Sequence, residues 1–174
     1  MESELSERQL WQNLCHGDAG AFEAFYREHA PRLRSFLRHL LGSRQAADDI
    51  AQEAFLMLWQ QPNGFDPGRG RLKAYLFGIA RKRAAEWWRR RPPGEEERQP
   101  APVTVEGEPA LLLEDALAHV EPELRSLLWL REVEGYSYAE LAEILDIPLG
   151  TVKSRLFAAR EDLRRIWRGG ERGT

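Results

Sequence analysis

The chain has 174 residues, 30% of them charged, with a formal net charge of −3. Its one cysteine, Cys15, excludes an intramolecular disulfide, and His16, His29, His39 and His119 are scattered without metal-ligand spacing, so neither a disulfide scaffold nor a zinc site is expected. No apolar run approaches the roughly 20 residues that span a bilayer, and the acidic, polar start lacks a signal-peptide pattern; a cytoplasmic protein without membrane insertion is expected.

The first half reads as four helical regions with no competing strand pattern: residues 9–14 together with 21–28, then 32–41, 46–60 and 71–91. Phe22, Phe25, Leu33, Phe36, Leu37, Leu40, Ile50, Ala54, Leu58, Leu72, Leu76 and Ile79 can meet in one helical core. The third region has two faces. Ile50, Ala54 and Leu58 form a stripe for burial, while Asp49, Gln52, Glu53 and Leu56 recur at i, i+3, i+4 and i+7 on another. Acid, amide and leucine on one face suit docking of a partner helix, although solvated helix faces also carry Gln and Glu.

Residues 61–71 follow, a loop dense in turn formers with Phe65 at its centre, which could hold an unstacked base. The fourth region interleaves Tyr75, Phe77, Trp87 and Trp88 with Lys73, Arg81, Lys82, Arg83 and Arg89 to Arg91. Aromatic faces stack on bases of single strands, at about 1–3 kcal/mol each, and cations track the phosphates. Tyr75 and Phe77 cannot share one helix face, so some of these rings are structural.

Charge is segregated along the chain. Residues 69–91 hold nine cations and one acid, whereas residues 92–123 hold nine acids and one cation, Arg98. Five of the ten prolines fall between Pro92 and Pro109, with Glu95, Glu96 and Glu97 among them and almost no large apolar residue. This reads as a flexible acidic linker over 92–110, dividing a domain 1–91 from a domain 111–174. Two basic surfaces on either side of an acidic tether suit one nucleic acid, with the tether repelled by it or shielding the basic patches in its absence.

In the second domain, Ser137 and Glu140 make a capping box, and Leu141, Ile144 and Leu145 supply the stripe of a short helix. Pro148 suits the first position of a following helix, with Gly150 in its first turn. On that helix Val152, Leu156, Ala159 and Leu163 face a core, leaving Lys153, Ser154, Phe157 and Arg160 outward. Seven cations from Thr151 onward, against three acids, suit a polyanion. A helix-turn-helix that binds DNA is expected, although any helical hairpin shows caps and a stripe.

With both halves in view, the chain resembles the extracytoplasmic-function (ECF) group of bacterial sigma factors. The resemblance rests on residues 48–59 (DDIAQEAFLMLW) and 65–83 (FDPGRGRLKAYLFGIARKR), which look like sigma region 2. It rests also on residues 134–145 (EGYSYAELAEIL) and 147–155 (IPLGTVKSR), which look like region 4. It implies an all-α fold of two small helical domains, a region 2 bundle and a region 4 helix-turn-helix, joined by the linker. It also implies a dissociable, non-catalytic promoter-specificity subunit that needs no cofactor and binds the β′ and β subunits of core RNA polymerase, promoter DNA and an anti-sigma factor.

By that resemblance Asp49, Gln52, Glu53 and Leu56 would contact the β′ clamp. Asn63, Phe65, Asp66, Arg69, Arg71, Lys73, Tyr75, Arg81 and Lys82 would capture and melt the minus-ten element, and Thr151, Lys153, Ser154, Arg155, Phe157 and Arg160 would read the minus-thirty-five element. Three positions depart from the common pattern: Lys82 replaces an asparagine, Ala158 an arginine and Tyr75 a tryptophan. The free chain is expected to be held compact or captured by an anti-sigma factor, and to open along the polymerase. A stand-alone helix-turn-helix regulator is the alternative; it leaves the Asp49, Gln52 and Glu53 face and the aromatic-basic helix without a role. No Ser/His/Asp or Cys/His arrangement and no phosphate-cradling loop suggests an enzyme.

Overall fold

The computed structural model describes residues 2–91 and 116–170, with side chains from residues 7–91 and 116–168. The expected linker 92–110 lies outside the described residues, as do Glu171 and Arg172 of the basic tail. Helix α1 (Glu2–Cys15) ends at Gly17, whose φ of 74° turns the chain toward α2 (Ala19–Leu41). Asp18 caps α2, accepting the Ala21 N–H at 3.0 Å. Ser43 caps α3 (Arg44–Gln60) in the same way. A 3-10 turn, Pro62–Gly64, leads through the loop to α4 (Leu72–Arg89).

Sequence periodicity misplaces the first two elements. Residues 9–14 belong to a separate α1, while 21–28 and 32–41 form one helix that runs straight through Pro31. A proline inside a helix removes one backbone hydrogen bond and crowds the preceding turn, at a cost of about 3 kcal/mol. The helix persists because Phe25 and Ala30 before it, and Leu33, Phe36 and Leu37 after it, are all buried on one continuous stripe. Of the twelve residues assigned to the core, Phe22 and Ile79 sit at its margin and the rest are buried.

Beyond the linker, α5 (Pro122–Leu128) runs into a wide π turn, Trp129–Val133, an element the sequence pattern did not signal. Buried Arg125 ties it down, donating to the carbonyls of Ala118 at 3.2 Å and Val120 at 2.8 Å. Helix α6 (Tyr138–Leu145) starts with the expected capping box: the Glu140 N–H donates to Ser137 Oγ and the Ser137 N–H to Glu140 Oε2. Asp146, left-handed at φ 52°, ends it. Helix α7 (Leu149–Gly170) begins one residue later than expected, because the Pro148 carbonyl receives the N–H groups of Thr151 and Val152 and so acts as the cap.

The bundle α2–α3–α4 and the C-terminal helices share one apolar core, with α5 packed on α2 and α6 on α4. Its central joint is aromatic. Phe77 of α4 lies 5.4 Å from Phe36 and 5.5 Å, edge to face, from the fully buried Tyr136. Helix α1 braces the loop before α4: the Trp11 indole donates to the Pro62 carbonyl at 3.0 Å, and Glu7 accepts the Leu72 N–H at 3.0 Å, supplying the cap that Arg71 does not.

A second joint gives the fold a pH dependence. Buried His39 of α2 stacks on Trp129 at 4.5 Å, and burial, with the charge of Arg125 second, lowers its pKa to about 4. An unfolded histidine takes up its proton near pH 6.5, so the unfolded state binds more protons between pH 6.5 and 4, and stability is lost as pH falls through that window. Unfolding by urea at pH 7 and pH 5 should show a loss of about 2 kcal/mol from this residue. In His39→Phe the slope above pH 5 should fall by that amount, leaving the contribution of buried His29, whose pKa burial also lowers; an unchanged slope would assign all of it to other groups.

Candidate nucleic-acid interface

On α3, Asp49, Gln52, Glu53 and Leu56 are all exposed on one face, opposite the buried Ile50, Ala54 and Leu58. Leu56 is 51% exposed, a large apolar side chain left uncovered beside two acids and an amide. That combination is what a docking surface presents to a partner.

The loop before α4 and one face of α4 together line an open cleft of about 530 Å³. Of the predicted residues, Phe65, Asp66, Arg69, Arg71, Tyr75 and Lys82 converge there, joined by Met57, Arg83 and Glu86. Asp66 shapes the loop by accepting the Gly68 N–H at 2.9 Å, and exposed Arg69 stays near it at 3.7 Å. The Tyr75 hydroxyl rests against Gly64 so closely that a Cβ there would collide with it. Arg83 directs its guanidinium at the Met57 sulfur and pairs with Glu86 at 3.1 Å.

Three of the predicted residues lie elsewhere. Asn63 faces α1, accepting the Cys15 thiol at 3.4 Å; Arg81 lines a second cleft between α4 and α5; and Lys73 points away, its ammonium 4.6 Å from the centre of the Tyr136 ring. Phe65 lines the cleft in another way. It is buried, 5.6 Å from Tyr75, so its ring is packed as a wall of the loop.

Helix α6 closes one side of the first cleft. Arg71 donates to Glu140 Oε1 at 2.5 Å, and Glu143 lines the cleft beside Gly70. The Glu140 carboxylate thus serves two helices, one oxygen capping α6 and the other holding Arg71. Burial alone would raise its pKa; the Arg71 and Ser137 hydrogen bonds outweigh that and hold it below the ordinary carboxylate range. Nearby, Arg32 of α2 approaches Glu134 at 3.6 Å. Burial raises the Glu134 pKa against the pull of Arg32 and Lys73. Sequence reasoning missed Glu134, Glu143 and Arg32, which carry no local pattern.

On α7, Val152, Leu156 and Ala159 are buried, while Lys153, Ser154 and Phe157 are exposed, with Phe157 at 66%. Thr151 is half-buried, its carbonyl accepting the Ser154 hydroxyl at 3.1 Å. Arg160 sits on the outward side, bonded to Glu132 at 2.7 Å, whereas Arg155 turns toward Glu123 at 3.5 Å and lines the second cleft. A helix with an outward cation, hydroxyl and aromatic, set by a tight turn against a shorter partner, has the geometry that enters a major groove.

Family models match both halves in order: sigma-70 region 2 over residues 25–92 and sigma-70 region 4 over residues 110–163. The ECF RNA polymerase sigma factor SigL of Mycobacterium tuberculosis is 32% identical over 157 residues, covering 84% of this chain and 89% of its own length. The chain belongs to the ECF RNA polymerase sigma factors. RNA polymerase sigma-H factor of Pseudomonas aeruginosa is 29% identical, over 92% of this chain and 93% of the relative. Among solved structures, the sigma factor RpoE in complex with the anti-sigma factor NepR from Bartonella quintana superposes with a TM-score of 0.69 at 26% identity, covering 84% and 96% of the two chains. CnrH in complex with the cytosolic domain of CnrY has the same fold, with a TM-score of 0.70 at 23% identity, covering 94% and 97%.

Within this sigma factor the departures from the common pattern acquire places. Lys82 is exposed at the rim of the first cleft, Tyr75 forms its inner wall and Ala158 is exposed on α7. Among the described residues no helix is long and apolar enough to cross a membrane.

Proposed function

We propose that the two halves divide the work of promoter recognition, with residues 1–91 binding core polymerase and the minus-ten element and residues 111–174 reading the minus-thirty-five element. The α3 face of Asp49, Gln52, Glu53 and Leu56 is the polymerase-docking surface, opposite the β′ subunit. The cleft lined by Asp66, Arg69, Arg71, Tyr75 and Lys82 receives a flipped minus-ten base, and trapping it offsets a few kcal/mol of lost stacking. Lys82 supplies a phosphate-binding ammonium, and Ala158 leaves room for a methyl contact with thymine.

Neither half needs to bind tightly, because linking two weak contacts raises the effective concentration of the second. Polymerisation itself belongs to the core enzyme. An anti-sigma factor is the proposed regulator, as in the complexes formed by similar chains, and the site of action is the cytoplasm.

The observation that carries this reading is the pairing of an exposed cationic, aromatic face on α7 with a separate basic cleft on α4. With Lys153 and Arg160 both changed to alanine, promoter binding by the reconstituted holoenzyme should weaken about tenfold or more, at roughly 1 kcal/mol per lost charged contact, while core-polymerase binding stays intact. Loss of both binding steps together would overturn the assignment of surfaces.

A further inference from the structure

We propose that Glu132 is a positioning residue for Arg160, holding its guanidinium in the orientation that reads a guanine of the minus-thirty-five element. This rests on the assignment of the outward face of α7 to duplex DNA, on which Lys153, Phe157 and Arg160 recur at i, i+4 and i+7. The hold is on one edge of the fork. Arg160 donates to Glu132 Oε1 from Nη2 at 2.7 Å and from Nε at 3.2 Å, which leaves the end formed by Nη1 and the second Nη2 hydrogen for another pair of acceptors. In the major groove O6 and N7 of guanine are such a pair, and they make the commonest specific contact of an arginine.

Glu132 reaches α7 from the π turn, where the Glu134 N–H bonds back to the Trp129 carbonyl at 3.2 Å and takes an extra residue into the helix. Such turns are rare and tend to sit at functional positions. This one is pinned. Arg131 donates to the Tyr136 carbonyl at 2.7 Å and lies over the Tyr138 ring, 4.9 Å from its centre. The Tyr138 hydroxyl is drawn to the Arg160 guanidinium, which lowers the pKa of the phenol; Glu132 first, and Tyr138 after it, raise that of Arg160. The Arg160 and Glu132 side chains are 37% and 55% exposed, so their pairing adds little to stability. Its effect is on direction, because an unheld arginine spreads over many rotamers that cannot all meet one base.

A carboxylate beside DNA also repels phosphates, so any change that removes its charge strengthens unspecific binding, and affinity alone cannot separate the two roles. Sequence preference does. The full chain, reconstituted with core polymerase, is offered linear duplexes whose upstream element is randomised, and the bound fraction is sequenced. The wild type should select guanine at one upstream position about tenfold over other bases, and Arg160→Ala should lose that preference. Glu132→Ala should reduce it to about twofold while the other positions keep theirs. Glu132→Gln loses the same charge, but its amide oxygen still accepts from Arg160, so it should keep most of the preference. Equal loss in the alanine and glutamine variants, or an undiminished preference in Glu132→Ala, would overturn the positioning role while leaving α7 on the DNA. Dependence on Arg160 at a base other than guanine would overturn it too. If Arg160→Ala leaves the selected sequences unaltered, the assignment of this face of α7 fails at that residue and the inference falls with it.

Discussion

Changing Glu53 to lysine and Leu56 to alanine together should raise the dissociation constant for core polymerase about 10- to 100-fold, with no change in thermal stability. Both side chains are exposed on α3, so neither contributes to the core, and surface substitutions of this kind usually alter folding by less than about 0.5 kcal/mol. In a docked complex the outcome differs. Leu56 would become a buried apolar anchor and Glu53 a partner for a cation, and losing both costs about 1.4–2.8 kcal/mol, the equivalent of that range in affinity. Isothermal titration against purified core polymerase, with a melting curve of the free variant beside it, checks the expectation. Wild-type affinity would remove α3 from the polymerase interface; a large drop in melting temperature would place these residues in the fold instead.

Phe77→Ala should be the most damaging single truncation for stability, costing about 3–5 kcal/mol in urea unfolding. The side chain is 1% exposed and touches Phe36 of the N-terminal bundle on one side and Tyr136 of the C-terminal half on the other. The cavity it leaves lies between the two halves, where neither can collapse to fill it without losing the other. The wild-type chain should therefore unfold in one transition by both fluorescence and circular dichroism, and the variant should lose that coupling and unfold in two. A cost below about 1 kcal/mol would mean that the joint contributes little in solution, and that the halves stand nearly independent.

The C-terminal half was the more legible of the two, for a physical reason. The capping box of Ser137 and Glu140, the turn at Asp146–Pro148 and the stripe of Val152, Leu156 and Ala159 are all interactions among residues a few positions apart, and such interactions leave a pattern in the chain. The N-terminal half was read correctly as a helical core but with wrong boundaries. Residues 21–28 and 32–41 read as separate regions, because the burial that carries α2 through Pro31 depends on packing partners distant in the chain. Phe65 shows the same limit: the turn formers around it mark a loop that could hold an unstacked base, and only the packing of Tyr75 and α1 around that loop shows the ring itself to be buried.

What the amino-acid order determined unaided was the helical character of both halves, the helix-turn-helix, the two-faced α3 and the segregation of charge, since each depends on spacing within one element or on composition along a segment. What only the tertiary structure decided was which surfaces meet. Arg71 and Glu140 are 69 positions apart, and nothing in their neighbourhoods marks them as partners. Their pairing exists because α6 packs on α4 through apolar residues, and that burial sets which charges face one another across the joint.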